Sequence, residues 1–165
     1  MAAKERRDHK RKTMEIMTIN ELCDIVRETA FAIHQYHGHG HLEKVYENAL
    51  AHRLKNAGIG VEQQHSIRVY DEDVTLIGDY VADLFVNNCL IVELKAAKSL
   101  ADEYAAQILG YLKSGRIEHG LLINFGSYRF QIKKYVMSAG QSRHLTKSRP
   151  PLLSFVFAFF AFFCG

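Results

Sequence analysis

The run Cys89-Leu-Ile-Val-Glu-Leu-Lys95 limits what this chain can become more than any other segment. An unbroken apolar stretch of this length fits a central strand covered on both sides of a sheet. Yet it closes on Glu93 and Lys95, and burying an unpaired carboxylate costs on the order of several kcal/mol. Asp83 interrupts the preceding apolar strand in the same way. Strand side chains alternate, so Glu93 and Lys95 share one face and Leu94 points to the other.

The elements around this strand can be read from periodicity and punctuation. Thr18 with Glu21 forms a capping box, and Met17 with Leu22 a hydrophobic staple. Ile19, Leu22, Val26, Ala30 and Ile33 then predict a helix to about His37, stopped by Gly38 and Gly40. A second helix is expected over 42–56, with Leu42, Val45, Tyr46, Ala49, Leu50 and Leu54 as its apolar face and Gly58 as its stop. Three strand-like runs follow at 61–70, 74–80 and 81–86, with a bend at Gly78 or Asp79. A strand at 89–94, a helix at 101–114 ended by Gly115, a buried strand at 120–125 and an edge strand at 128–136 complete the order. A helix joining two strands of one sheet implies a right-handed crossover and a mixed sheet.

Register decides whether the acids meet. Opposed residues of an antiparallel pair share a face. A two-residue turn at Asn87-Asn88 would pair Val86 with Cys89 and separate Asp83 from Glu93. A three-residue loop over 87–89 pairs Val86 with Leu90 and Leu84 with Val92, and brings the two carboxylates together. The second register, or a bulge with the same effect, is expected because it aligns the apolar residues. Two convergent carboxylates beside a lysine suit a hard cation such as Mg²⁺, which commonly uses one or two protein carboxylates and keeps several waters. A bare salt bridge from Lys95 to Glu93 or Asp83 fits the same spacing.

Composition bounds the rest. At 165 residues, with 48% hydrophobic and 24% charged content, the chain has the size and composition of one soluble globular domain. Residues 1–13 carry six Lys/Arg against Glu5 and Asp8, a balance of +4, and 140–165 add +3 through Arg143, Lys147 and Arg149. The overall charge of +3 therefore leaves −4 on 14–139, so the body lacks by count the basic character typical of a nucleic-acid binder. Cys23, Cys89 and Cys164 lie far apart, which argues against a disulfide framework or zinc ribbon and for a reducing, cytoplasmic setting. No apolar stretch follows the basic N-terminus, so no secretory signal is expected. Residues 1–16 read as a disordered basic tail, with Met14 or Met17 an equally good start, 17–137 as the domain, and 138–165 as an atypical tail. Its run 152–164 contains six phenylalanines but has only 13 residues, and a bilayer span needs roughly 20. No stable membrane association is expected.

Asp83, nine residues, then Glu93-Leu94-Lys95 resembles the D-Xn-ExK signature of the PD-(D/E)XK nuclease superfamily. Within it, Gly40-His-Leu-Glu43-Lys-Val-Tyr46 is similar to the motif of the GxxExxY proteins. Val92-Glu-Leu-Lys-Ala96, Gln107-Ile-Leu-Gly-Tyr111 and Leu122-Ile-Asn-Phe-Gly126 follow in the expected order. The resemblance implies an α/β fold with a restriction-endonuclease-like three-layer core, a central mixed sheet flanked by helices. It implies Asp83 and Glu93 as ligands of Mg²⁺ or Mn²⁺, with Glu43 as a further acid and Lys95 as a catalytic group. It also sets Gln107 and Tyr111 near the nucleic-acid strand, DNA or RNA; their i,i+4 spacing independently gives them one helix face. A tyrosine at that spacing also fits a core position, and Tyr46 reads as packing.

The chain departs from the pattern at His39 and His41, where the family often has proline and an aromatic. It also has Val81 where a basic residue is common, which removes a phosphate contact. His34, His37, His39 and His41 alternate with glycine and read as a solvated interhelix loop rather than a metal site. The expected function is a metal-dependent nuclease acting through an activated water. The alternative is a catalytically silent protein of the same fold that binds nucleic acid or a partner.

Overall fold

The computed structural model describes residues 17–137; both tails, with the basic N-terminal segment and the apolar run 152–164, lie outside the described residues. Helix α1 (Ile19–His37) starts at the expected capping box, with the Thr18 backbone N–H donating to Glu21 Oε2 at 2.7 Å. Helix α2 spans Glu43–Asn56 and α3 spans Asp102–Gly115. The strands are β1 (Val61–Tyr70), β2 (Leu76–Val86), β3 (Leu90–Lys95), β4 (His119–Asn124) and β5 (Gln131–Val136). They form one sheet in chain order, antiparallel except for the parallel β3–β4 pair that α3 connects.

Helices lie on both faces of this mixed sheet, giving the expected three-layer α/β core. On one face, Leu22, Val26, Ile33, Leu50 and Leu54 of α1 and α2 pack on Leu84, Leu90, Val92 and Leu94. On the other, Ile108, Tyr111 and Leu112 of α3 pack on Ile67, Ala82, Ile91 and Leu122. Full burial of each such aliphatic side chain contributes about 1.5–3 kcal/mol.

The loop between β2 and β3 is the three-residue one. Val86 pairs with Leu90 and Leu84 with Val92, and Asn87 and Asn88 take the left-handed conformation at φ 46° and 55°. Other expectations need correction. The runs at 74–80 and 81–86 are one strand, because Gly78 stays in the ladder opposite Val69 instead of bending it. On α2 the expected Tyr46, Leu50 and Leu54 are buried, but Leu42 and Val45 are exposed and Glu47 and Ala51 take interior places. Helix α3 does end at Gly115, and the left-handed residue that caps it is Arg116, at φ 52°. A side chain at Gly115 would meet Ile117 at 2.9 Å, so its requirement is space.

The long β1–β2 hairpin changes faces midway. Val61, Leu84 and Val86 lie with the α1/α2 core, whereas Ile67 and Ala82 lie with the α3 core. Residues 61 and 67, or 82 and 84, share parity and would share a face in a regular strand. The switch falls where Gln64 and Asp83 drop out of the ladder, between the pairs Gln63–Leu84 and His65–Ala82.

Candidate active site

The site lies where β2 parts from β3. Their ladder contains only the pairs from Leu84–Val92 to Val86–Leu90, although β3 runs on to Lys95 against β4. Beyond that point the Asp83 side chain replaces the lost strand partner, its Oδ2 accepting from the Leu94 N–H at 2.7 Å. Glu43, at the first turn of α2, accepts from the Ala96 N–H at 3.2 Å and so reaches over the end of β3. Glu93 and Lys95 project together toward α3, with Lys95 Nζ donating to Glu93 Oε1 at 2.6 Å and lying 5.3 Å from the Tyr104 ring centre.

Electrostatics mark this corner as short of positive charge. Glu93 is 2% exposed. Burial, and next the charge of Asp83, push its carboxyl up to about 7 despite the bond from Lys95. Asp83 is also raised, first by burial, with Glu43 and Glu47 adding repulsion and the Leu94 N–H opposing it. For Lys95 burial alone would lower the ammonium, but the bond and charge of Glu93, then Glu43 and Asp83, hold it above its ordinary value. At neutral pH the lysine is charged, and Glu93 sits close to its midpoint.

The donor set suits a hard divalent cation. Glu93 Oε2 is buried with no hydrogen-bond partner among the described residues. Such an atom costs free energy unless something meets it. Among the described residues no three His, Cys, Asp or Glu side chains form a ready-made metal cage. A two-carboxylate, water-rich Mg²⁺ site does not require one.

The other residues singled out by sequence divide. Gln107, half-buried, donates to the Tyr111 hydroxyl, while Tyr111 is 4% exposed and packs in the α3 core with its ring 5.2 Å from Tyr80. Its hydroxyl is raised by burial and then by the charge of Glu93, so it borders the acids from within the core. Tyr46 is packing: it stacks on Phe125 at 4.5 Å and donates to the Gly38 carbonyl at 2.8 Å. His34 is 8% exposed and bonds Ser127 O, and His37 meets His41 edge to face. Val81, two residues before Asp83 on β2, is exposed.

Two contributions were not foreseen. Buried Asn124 accepts from the N–H groups of Ala97 and Gly126 and donates to the Ala97 carbonyl, pinning the segment that follows Lys95. A side chain at Gly126 would come within 2.6 Å of the Ala96–Ala97 backbone, which explains the glycine at that position. Glu47 is the second, a buried acid one turn after Glu43. The signal available for it was its i,i+4 spacing from Glu43.

Among the described residues no helix is long and apolar enough to cross a membrane. Comparison with curated proteins gives no match. Among solved structures, the crystal structure of SSO0001 is similar at 16% identity with a TM-score of 0.49. The likeness covers 62% of this chain and 53% of that one, so this chain spans about half the length of that protein. A family model for the PD-(D/E)XK nuclease superfamily matches residues 20–135, well over half of the sequence. With the acids, the lysine and the three-layer sheet in place, this match makes the chain a member of the PD-(D/E)XK nuclease superfamily.

Proposed function

We propose that this protein is a divalent-metal-dependent nuclease that hydrolyses phosphodiester bonds in nucleic acid, with DNA as the first substrate class. The observation that carries this reading is the unpartnered Glu93 Oε2 beside Asp83, with Lys95 fixed 2.6 Å from the other oxygen. Asp83 and Glu93 would hold Mg²⁺ or Mn²⁺, with Glu43 as a further ligand. Such an ion, when bound, polarises a phosphoryl oxygen and acidifies a water.

The chain's own groups supply the rest. The Leu94 and Ala96 N–H groups fix the Asp83 and Glu43 carboxylates before substrate arrives, so little reorganisation is needed. Lys95 stays protonated and stabilises the negative charge that builds on the phosphate in the transition state. Glu93 would hold the ion as a carboxylate, since a cation between the two acids would offset the repulsion from Asp83 that favours its protonated form. Gln107 offers an amide to the bound strand, and Tyr111 orients that amide from behind. The membership of the GxxExxY group and a cytoplasmic setting belong to this same reading.

A second reading is a catalytically silent nuclease fold that binds nucleic acid or a partner. The exposed Val81, in place of a cation beside Asp83, and the −4 balance of residues 14–139 favour it. Cleavage of plasmid and oligonucleotide DNA with Mg²⁺ or Mn²⁺ separates the two. The wild type is expected to cut while Glu93→Ala and Lys95→Ala do not. Equal activity in all three sinks the proposed centre.

A further inference from the structure

Glu47 is a nearly inaccessible carboxylate, 2% exposed, that touches none of the candidate catalytic groups yet is fully engaged. Its Oε1 accepts from Lys44 Nζ at 2.7 Å and Gln63 Nε2 at 2.9 Å, and its Oε2 from Gln64 Nε2 at 2.9 Å. Three donors satisfy the oxygens of this buried acid, which would otherwise carry the full cost of leaving water. Both glutamines come from the point where β1 changes faces. Gln64 sits at φ 55°, in the left-handed region that residues other than glycine seldom occupy.

Position turns this clamp into more than packing. Gln64 stands opposite Asp83, and this pair alone is missing from the ladder between Val61–Val86 and Val69–Gly78. A regular Gln64 would hold Asp83 in a strand, its carboxylate directed by the pleat. With Gln64 drawn to α2, Asp83 leaves the ladder and turns its carboxylate onto the Leu94 N–H. The same helix delivers Glu43 to the Ala96 N–H one turn earlier. Helix α2 therefore sets both acids relative to the end of β3, Glu43 directly and Asp83 through the break in β1.

We infer that Glu47 and Gln64 are positioning residues that aim Asp83 at the site by holding β1 in its left-handed break. The structural part stands alone; its consequence for metal rests on the reading of Asp83 as a ligand. The test uses full-length protein with three variants. Glu47→Gln loses the charge and cannot accept all three bonds. Gln64→Ala loses the amide that holds the break but keeps the Cβ that disfavours positive φ. Gln64→Gly loses the amide but keeps the permitted backbone conformation.

Hydrogen exchange at the Leu94 amide reports the Asp83 contact without any need for activity, and exchange at Ala96 reports Glu43 as an internal control. In Glu47→Gln and Gln64→Ala, Leu94 is expected to exchange faster while Ala96 stays protected, and Mn²⁺ affinity by calorimetry to fall roughly 10–100-fold. Gln64→Gly, whose exposed position makes folding secure, is expected to show the same change in milder form. Wild-type protection of Leu94 in folded Gln64→Gly and Gln64→Ala overturns the inference. Should wild type bind no Mn²⁺ while Leu94 still loosens in the variants, the positioning role survives and the metal reading fails.

Discussion

The two faces of β3 follow different rules although they share one backbone. Toward α1 and α2, Leu90, Val92 and Leu94 are fully buried among aliphatic side chains, and the face is closed to its end. Toward α3, Ile91 is equally buried, but the next two residues on that face are Glu93 and Lys95. On the closed face β3 contributes only aliphatic side chains; the open one ends on a carboxylate oxygen without a hydrogen-bond partner among the described residues. Alternation thus lets a single strand supply core stability from one side and a charged, strained-for-charge corner from the other. Substitutions on the two faces should separate stability from chemistry.

The largest effect is expected for Leu94→Ala, which opens a cavity in the closed face and costs about 2–5 kcal/mol of stability by chemical denaturation. Its backbone N–H remains for Asp83, so metal affinity in the folded fraction should hold. Lys95→Met should do the reverse: DNA cleavage falls roughly 10²–10³-fold. Stability changes little, because Glu93 can take up a proton in place of its ion pair. A Lys95→Met variant that unfolds but still cuts would erase the contrast between the faces.

The pH dependence of the metal-free protein sharpens it further. The folded Glu93 carboxyl titrates near 7 against an ordinary value of 4.5, so folding takes up a proton between these two points. Stability is therefore fully present below about pH 4.5 and declines as pH rises through the window to about 7, with Asp83 contributing in the same direction. Melting temperatures across that range should fall for wild type and flatten for Glu93→Gln, which cannot ionise. The smallest effect is at the far edge of the closed face. Thr18→Ala removes the capping box of α1 for about 1 kcal/mol and should leave cleavage and metal affinity unchanged.

Much of this arrangement is legible in the sequence itself. The order of elements followed from periodicity, and the β2–β3 register from the requirement that Leu84 and Val86 meet Val92 and Leu90. That alignment set Asp83 at the edge nearest Glu93 and Lys95, because a shift of one residue would have exposed the apolar set; its turn onto the Leu94 N–H is a separate matter. What escaped was set by tertiary structure. A helix pattern counted Leu42 and Val45 as buried, but Leu42 is the residue before the helix and both are exposed, while Glu47 takes an interior place on the strength of its three donors. Nothing in a glutamine announces positive φ, so the break at Gln64 was invisible, and a Gly-Asp pair suggested a bend that the hairpin ladder overrides. Asn124 entered only as part of the buried strand 120–125 and of the Leu122–Gly126 motif. Only the return of the chain at Ala97 shows that it anchors the segment after Lys95.

A calorimetric titration of Mn²⁺ into wild type, Asp83→Asn and Glu93→Gln near pH 7, run in two buffers of different ionisation enthalpy, tests the central claim most directly. The account predicts binding to wild type with proton release, and its loss in both variants. Absence of binding to the wild type, or undiminished binding in the variants, would contradict it.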